Sequence, residues 1–582
     1  MNEEADLRIP VLIVGGSLVG LSTSVFLGRL GVPHTLVERH AGTSAHPRGR
    51  GNNVRTMELF RVAGIESAVR EAASVLSGNH GIYQAPSLAG DGGEWLFQRM
   101  DEDGALARIS PSAWCLCSQN DLEPVLVEHA RRLGGDLRFA TELISFDPDP
   151  DGITAVAKSR ETGEHTTIRA SYLVAADGPR SPVRERLGIG HTGPGDLFHN
   201  VSVTFRSRGL AEVVGDRRFL MCYLTDPEAD GALLPVDNRE QWVFHLPWHP
   251  ERGETLEEFT DERCARHIVR AVGVPGLDVE ITGRAAWHAA ERVAERYADG
   301  RVLLAGDSAH EMPPTGAFGA NTGIQDAHNL AWKLAAVLGG WAGQGLLETY
   351  DAERRPVARA TAARASGRSA EHSHPGYDPA AGGRPAGGPP ASGAAAPAAQ
   401  GTGGPGAGGP GGPGGPGGPG GKGPQGGVLT VALGYRYPRG AVVGTDPDAP
   451  AVPGELRLTG EPGTRAPHLW LRRAGERIST LDLYETTPVL LADAAAGAGW
   501  HAAADRVADL LSVPLVTHRI GTGPDAGLVT EDGTDWARAH GVEPDGAVLV
   551  RPDGFVAWRS AGPAGDPAET LRQVLSTVLA LG

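Results

Sequence analysis

Apolar and polar positions near the start of the chain follow the pattern of a strand, a helix and a second strand. Val11 to Val14 is a continuous apolar run, which is typical of a parallel strand buried on both faces. Residues 22–30 continue with apolar positions at helical spacing, and Thr35 to Val37 predicts the second strand. This order predicts a βαβ unit of an α/β fold.

Glycines and one acidic residue in this unit indicate a ligand-binding site. Gly15, Gly16 and Gly20 lie between the first strand and the helix, and Glu38 ends the second strand. Such a turn lets a pyrophosphate approach the helix N-terminus, and the carboxylate can accept hydrogen bonds from a ribose diol. Ser17 replaces the middle glycine of the usual dinucleotide-binding fingerprint, so a glycine-rich turn of another α/β protein is the alternative.

Two later strands also end at an aspartate. Residues 172–176 predict a buried strand followed by Asp177 and Gly178, and residues 302–305 predict another that ends near Asp307. Ligands of open α/β sheets bind at the carboxyl ends of the strands, so both aspartates are candidates for the same site. An Asp-Gly pair can also be a simple turn.

A proline- and glycine-rich loop connects the Asp307 strand to a helix predicted at 323–338. Pro314 and Gly319 belong to this loop. Its backbone N–H groups can lie against a flat ring at the helix N-terminus, where a developing anion is stabilised.

The middle of the chain has a different pattern. Residues 198–250 contain alternating stretches typical of antiparallel strands, and a helix is predicted at 255–272. We interpret residues 186–284 as a sheet domain inserted into a nucleotide-binding domain made of residues 1–185 and 285–378. Residues 77–113 are expected to contribute outer strands to the inserted domain.

The last third of the chain begins after a segment of low complexity. Residues 379–427 are dominated by glycine and proline and predict a disordered linker. The order of elements from residue 428 to 582 resembles a small thioredoxin-like domain, with a hairpin around Pro552-Asp553-Gly554 and a helix at 567–581. No cysteine occurs in it, which excludes thiol–disulfide chemistry.

Composition narrows the classes of function. The length of 582 residues suggests about three to four domains, and the net charge of −17 argues against nucleic acid and anionic membranes as partners. No apolar run reaches the roughly 20 residues that span a bilayer, and the acidic N-terminus is unlike a signal peptide. The four cysteines suit small buried residues in a reducing cytoplasm better than a metal site, so we expect no metal.

Three motifs in this order point to a family. They are "VGGSLVGL…VER", "AADGPRSPVR" and "AGDSAHEMPPTGAFGANTGIQDAHNLAWKL". Together they resemble the single-component FAD-dependent aromatic hydroxylases with the para-hydroxybenzoate hydroxylase-like fold. The C-terminal "PGTRAPHLWL", "STLDLYE" and "VLVRPDGFVAWR" are similar to the actinomycete polyketide hydroxylases and phenol hydroxylases, which carry a redox-inactive thioredoxin-like domain.

The resemblance implies a set of cofactor contacts. Pro314 and Asn321 would lie at the flavin face, Glu38 at the adenosine ribose, and Leu143 at the adenine. No residue is assigned as a catalyst, and the candidates for the substrate pocket are Met221, Tyr223 and His245. The residues implied to bind FAD are Gly15, Gly16, Ser17, Leu18, Val19, Gly20, Glu38, Arg39, Arg48, Gln119, Leu143, Asp177, Gly178, Asp307, Pro314, Gly319, Ala320 and Asn321.

The implied activity is the hydroxylation of a polycyclic aromatic polyketide. FAD would stay bound, NADPH or NADH would visit, and a flavin hydroperoxide formed with dioxygen would transfer oxygen. Baeyer–Villiger or epoxidising chemistry on the same fold, an oxidase or reductase without oxygen insertion, and a non-catalytic assembly role are the alternatives. The substrate, the nucleotide and the choice between monomer and homodimer stay open.

Overall fold

The computed structural model of the protein describes residues 5–99, 101, 104–371, 427–521 and 526–582. The predicted linker at 379–427 lies outside these residues except for its last position. The strands are β1 (Leu7–Val14), β2 (His34–Val37), β3 (Gly51–Asn52), β4 (Ile82–Ala85), β5 (Glu94–Phe97), β6 (Cys115–Leu116), β7 (Asp136–Arg138), β8 (Thr141–Asp149), β9 (Gly152–Ser159), β10 (His165–Ala175), β11 (His191–Arg206), β12 (Met221–Leu224), β13 (Gly231–Pro235), β14 (Gln241–Trp248), β15 (Glu280–Ala294), β16 (Ala298–Asp299), β17 (Val302–Leu304), β18 (His310–Glu311), β19 (Trp470–Arg473), β20 (Glu476–Ser479), β21 (Val489–Asp493), β22 (Val516–Ile520), β23 (Val529–Thr530), β24 (Ala547–Val550) and β25 (Val556–Ser560).

The helices carry the remaining regular structure. They are α1 (Leu18–Arg29), α2 (Val54–Val62), α3 (Glu66–Ala72), α4 (Gln119–Arg132), α5 (Pro182–Arg186), α6 (Gly209–Val214), α7 (Asp261–Val272), α8 (Phe318–Leu338), α9 (Gly345–Glu371), α10 (Val428–Leu433), α11 (Ala498–Leu511), α12 (Trp536–His540) and α13 (Pro567–Val578).

The first sheet contains the predicted βαβ unit. Its strand order is β16-β17-β10-β1-β2-β7, with β9 also pairing with β10 and β8 with β9. The strands from β17 to β7 run parallel, whereas β16 and β9 are antiparallel to their neighbours. The apolar residues 11–14 are buried on β1, and α1 packs against α4 and α8. The chain is therefore an α/β protein with a Rossmann-like first domain.

Two helices of this domain begin earlier than their sequence indicates. The helix expected at 22–30 begins at Leu18, and the one expected at 323–338 begins at Phe318. Glycine lowers helix propensity, which placed both predicted starts too late. At Gly323 a Cβ would lie 2.6 Å from Val19, so this glycine allows α8 to pack against α1 rather than marking a helix boundary.

Local backbone geometry sets the bounds of other elements in this domain. Ser118 is the N-cap residue of α4, and Asp121 lies in the first turn of this helix. Strands β7 and β8 are separate, because Ala140 between them adopts a left-handed backbone with φ of 49°. The strand predicted at 172–176 is the end of the longer strand β10.

The second sheet has the order β18-β15-β11-β14-β13-β12-β4-β5. Its pairs are antiparallel except β12 and β4, which run parallel. Thus β4 and β5, which lie within 77–113, join the strands of the inserted region. One face of this sheet packs with Cys264 and Ile268 of α7. This helix begins at Asp261, six residues after the predicted start at 255.

The C-terminal domain has a four-stranded sheet of order β22-β21-β24-β25, in which β21 and β22 are parallel and the other pairs antiparallel. This arrangement with α11 and α13 is thioredoxin-like. The predicted hairpin around residues 552–554 joins β24 to β25. The same helices share a core with Trp332 and Ala336 of α8, so the C-terminal domain packs directly on the first domain. Among the described residues, no helix combines the length and apolar character needed to cross a bilayer.

Candidate active site

The carboxyl ends of four parallel strands meet in one row at the edge of the first sheet. Val14 of β1 pairs with Val37 of β2 and with Ala175 of β10, and Ala175 pairs with Leu304 of β17. The row brings together motifs that are almost 300 residues apart in sequence. The predicted site residues that lie within three positions after these strand ends are Gly15, Glu38, Asp177 and Asp307.

The glycines of the first turn are required by close backbone approach. Gly15 has a φ of +106°, and a Cβ at this position would lie 2.2 Å from the carbonyl oxygen of Ala176. A Cβ on Gly20 would lie 1.9 Å from the carbonyl oxygen of Gly15. The turn therefore holds the N-terminus of α1 tightly against the strand ends, and leaves its first N–H groups facing the same edge.

Ser17 does more than replace a glycine. It is the exposed N-cap residue of α1, and its Oγ donates a 2.7 Å hydrogen bond to Oε1 of Glu123. Gln119 donates from Nε2 both to Ser17 Oγ (2.9 Å) and to Glu123 (2.7 Å), while Glu123 also accepts from the backbone of Ser44. Sequence reasoning missed Glu123, although its position four residues after Gln119 on one helix face was the available signal.

Glu38 is held at the end of β2. Its carboxylate accepts hydrogen bonds from the backbone N–H groups of Gly16 (2.7 Å) and His40 (2.8 Å). The backbone of Glu38 also accepts from Thr141 at the start of β8, which brings Leu143 into the same region. The side chain of Arg39 is exposed.

Asp177 and Gly178 form the turn after β10. Burial raises the pKa of Asp177, while hydrogen bonds from Ser181 and the backbone of Val183 oppose this shift. Arg184, which sequence reasoning missed, is buried and donates a 3.0 Å hydrogen bond to the carbonyl of Ser308. Arg184 thereby ties the Asp177 turn to the Asp307 turn.

Asp307 lies in the short helical turn that follows β17. Its side chain is accessible to solvent. Desolvation by the surrounding protein atoms raises the pKa of the Asp307 carboxyl, while the positive charges of His310 and Arg48 oppose this shift. Among the described residues no group donates a hydrogen bond to this carboxylate. It is thus available to a ligand at the strand edge.

The first turn of α8 closes the site from a second side. Gly319, Ala320 and Asn321 lie in this turn, and Pro314 is exposed in the loop before it. Asn321 is buried and donates to the carbonyls of Gly51 (2.7 Å) and Ala317 (2.6 Å). Ala317 has a φ of 54°, so Asn321 secures a strained backbone at the helix start.

These features fit the pyrophosphate and ring of FAD. The N-termini of α1 and α8 carry no acidic residue in their own first turns, so no carboxylate of these helices competes for their positive ends. The cradle around Gly15 and Gly20 would be filled by any side chain. Anionic groups are therefore favoured there, and the accessible carboxylate of Asp307 suits a hydroxyl-bearing chain.

Three arginines in the segment after β2 have different surroundings. Arg48 is exposed. Arg50 is buried, donates to the carbonyl of Pro235 on the second sheet, and has no hydrogen-bond partner for Nε and Nη2 among the described residues. Arg55 does not face the site, because it pairs with Glu58 at 3.0 Å.

The candidate pocket residues share one face of the second sheet. Tyr223 pairs with Ala232, which pairs with His245, so these side chains are in one row. Met221 and Leu234 extend this apolar face. Because the opposite face is covered by α7, the row lies on the side where Arg50 and the segment around it contact the sheet.

Tyr223 has a charged neighbour that the sequence did not reveal. Burial raises the pKa of Tyr223 to about 12, and the positive charge of Arg368 on α9 opposes this shift. Ser369, the next residue, hydrogen-bonds through Oγ to Thr315 in the loop before α8. The end of α9 therefore lies between the sheet and that loop.

Known families match almost the whole chain outside the Gly/Pro segment. A family described as FAD binding domain matches residues 8–365, and one described as aromatic-ring hydroxylase, C-terminal, matches residues 459–581. A Streptomyces coelicolor protein provisionally named a polyketide hydroxylase is 68% identical, with both chains covered in full. Tetracenomycin A2 monooxygenase-dioxygenase of Streptomyces glaucescens is 40% identical over 98% of this chain and 97% of the relative.

A solved structure agrees with this assignment. Aklavinone-11 hydroxylase in complex with FAD and aklavinone has a TM-score of 0.82 and 36% identity, covering 99% of this chain and 100% of that one. The fold and the site thus define a flavoprotein monooxygenase that uses FAD. The chain belongs to the family of FAD-binding aromatic-ring hydroxylases.

Proposed function

We propose that the protein hydroxylates a polycyclic aromatic polyketide. The observation that carries this proposal is the apolar face bearing Tyr223 and His245 on the second sheet, whose Pro235 carbonyl accepts a hydrogen bond from Arg50. Relatives named polyketide hydroxylase and aklavinone 12-hydroxylase support the substrate class. In the overall reaction one atom of dioxygen enters an aromatic C–H bond, the other leaves as water, and NADPH or NADH supplies two electrons.

We propose that FAD lies along the strand edge of the first sheet. Its pyrophosphate would bind the N-terminus of α1 between Gly15 and Gly20, and Glu38 would accept from the adenosine ribose. Asp307 would contact the ribityl chain, and the first turn of α8 would face the ring. When bound, FAD takes electrons from the nicotinamide and activates dioxygen.

Neither Tyr223 nor His46, which lie near the substrate face, is suited to act as a general base at neutral pH. With a pKa raised to about 12 by burial, Tyr223 keeps its phenolic proton at neutral pH and can donate a hydrogen bond to a substrate oxygen. Arg368 and Arg50 add positive charge that stabilises a phenolate. Burial together with Arg48 and Arg50 lowers the pKa of His46 to about 4, so His46 stays neutral and is a weak base.

Oxygen labelling tests the proposal. The purified holoprotein is incubated with NADPH, labelled dioxygen and a panel of anthraquinone and naphthacene compounds, and products are analysed by mass spectrometry and NMR. We expect one labelled oxygen per turnover as a new phenol. Ring expansion to a lactone would indicate Baeyer–Villiger chemistry, and quantitative hydrogen peroxide without labelled product would indicate an oxidase.

We also propose a cytoplasmic location and a small-molecule partner only. All four cysteines are free and buried, which suits a reducing compartment. Whether the chain is a monomer or a homodimer is decided by light scattering of the purified holoprotein. Recovery of the native protein in the cytoplasmic fraction of its producer is the expected result.

A further inference from the structure

We propose that the C-terminal domain, although it lacks cysteine, positions the Asp307 turn through a chain of buried side chains. This positioning chain consists of Tyr437, Arg354 and Asp326, and it ends on the backbone of Gly306. The inference rests on the proposed placement of FAD, and it gives the redox-inactive domain a role in cofactor binding.

The positioning chain is continuous in its hydrogen bonds. Arg354 donates from Nη1 to the hydroxyl of Tyr437 at 3.3 Å and from Nε to Oδ1 of Asp326 at 2.7 Å. The other oxygen of Asp326 accepts from the N–H of Gly306 at 3.2 Å and lies 2.8 Å from Nε2 of His310. None of Tyr437, Arg354 and Asp326 is more than 1% exposed.

The turn itself cannot relax away from this support. Gly306 has a φ of +64°, and a Cβ there would lie 2.6 Å from Val19 of α1. The Asp307 turn is thus enclosed between α1, which presents its N-terminus to the cofactor, and the carboxylate of Asp326. A shift of Asp326 would displace the residue directly before Asp307.

The far end of the positioning chain is anchored in the C-terminal domain. Asn329 of α8 donates from Nδ2 to Tyr437 (3.4 Å) and to Asp553 (3.1 Å). Arg551 binds Glu353 of α9 through both terminal nitrogens, at 2.7 and 2.8 Å. Tyr437 therefore links the position of the C-terminal domain to that of the first domain.

Packing of the two domains does not by itself explain why Arg354 and Asp326 are buried as charged residues. A buried ion pair costs desolvation energy, and apolar residues of similar volume often hold two domains together as well. Although burial opposes ionisation of Asp326, Arg354 and His310 lower its pKa, so it remains a charged acceptor. A charged acceptor forms a stronger hydrogen bond with the N–H of Gly306 than a neutral one does, so it holds the Asp307 turn more firmly.

The test measures the affinity of the apoprotein for FAD from the change in flavin fluorescence. The temperature is chosen so that the apoproteins of wild type and all variants are folded. Tyr437→Phe removes one hydroxyl, and we expect FAD to bind about fivefold more weakly. Tyr484→Phe is the matched control, because the Tyr484 hydroxyl is buried in the same domain and has no hydrogen-bond partner among the described residues. Its FAD affinity should equal that of wild type.

A second variant and a second readout separate positioning from general stability. Asp326→Asn, which keeps the shape but removes the charge, should weaken FAD binding by about twentyfold and shift the visible absorption band of the bound flavin. Unchanged affinity and spectrum in both Tyr437→Phe and Asp326→Asn would overturn the inference, whatever their unfolding temperatures. Wild-type apoprotein that bound no FAD would instead overturn the proposed function.

Discussion

Replacing Gly20 with alanine perturbs the contact on which the cofactor edge depends. The new methyl group would lie 1.9 Å from the carbonyl oxygen of Gly15, where ordinary contact begins at 3.4 Å. Because the atom it meets belongs to backbone, α1 must move by about 1.5 Å or the turn must open. Either movement takes the first N–H groups of α1 away from the proposed position of the pyrophosphate.

The magnitude separates the effect on folding from the effect on binding. Overpacking costs about 1–3 kcal/mol, and the better helix propensity of alanine returns up to about 1 kcal/mol, so the chain should still fold. Losing even one charge-assisted hydrogen bond to a phosphate costs about 1.5 kcal/mol or more, which is at least about tenfold in affinity. We therefore expect folded apoprotein that binds FAD at least tenfold more weakly.

Flavin titration of apoprotein and thermal unfolding with and without FAD measure the two effects. Gly42→Ala is the matched control, because a Cβ at Gly42 meets no atom within 4 Å. The control should bind FAD as wild type does. Gly20→Ala protein that retains FAD equally well would refute the reasoning from the close contact.

Three further changes test other parts of the site. Asp307→Ala should lower the flavin content of purified protein, since the accessible carboxylate loses its contact to the cofactor; unchanged flavin absorbance would contradict this assignment. Tyr223→Phe should keep its FAD but slow product formation about tenfold, because the substrate loses a hydrogen-bond donor; equal kcat/KM would exclude that role. Burial opposes ionisation of Glu353, but Arg551 and Lys333 outweigh it and lower its pKa to about 2 from an ordinary 4.5. Its stabilisation is complete above pH 4.5 and is lost as pH falls toward 2, so in urea unfolding Glu353→Gln should show an acid-induced loss smaller by about 3 kcal/mol, and an equal loss would argue against it.

Sequence reasoning was sufficient where one short stretch determines its own structure. The apolar runs at 11–14 and 172–176 predict buried strands, and the structure has β1 and β10 there, with the polar residues that follow them at the sheet edge. For that reason Gly15, Glu38 and Asp177 could be assigned to one edge before their distances were known. Their roles toward FAD stay predictions.

The same reasoning failed where the outcome depends on distant residues. Arg50 and Arg55 are only five positions apart, yet Arg50 donates to the carbonyl of Pro235 and Arg55 to that of Asp553, almost 500 residues later. Glu123 was missed for the same reason, because its partner Ser17 is more than 100 residues away. Local patterns carry no information about such pairings.

The row of strand ends has a consequence for how the protein acquires its cofactor during synthesis. Its segments emerge from the ribosome in the order β1, β2, β10 and β17, and β17 ends only at Leu304. A nascent chain that has not reached this point lacks one strand end of the row, and one that lacks Arg551 also lacks the anchoring of the C-terminal domain on Glu353. If FAD binds along this row as we propose, its uptake during synthesis has to wait until β17 and the C-terminal domain have been made.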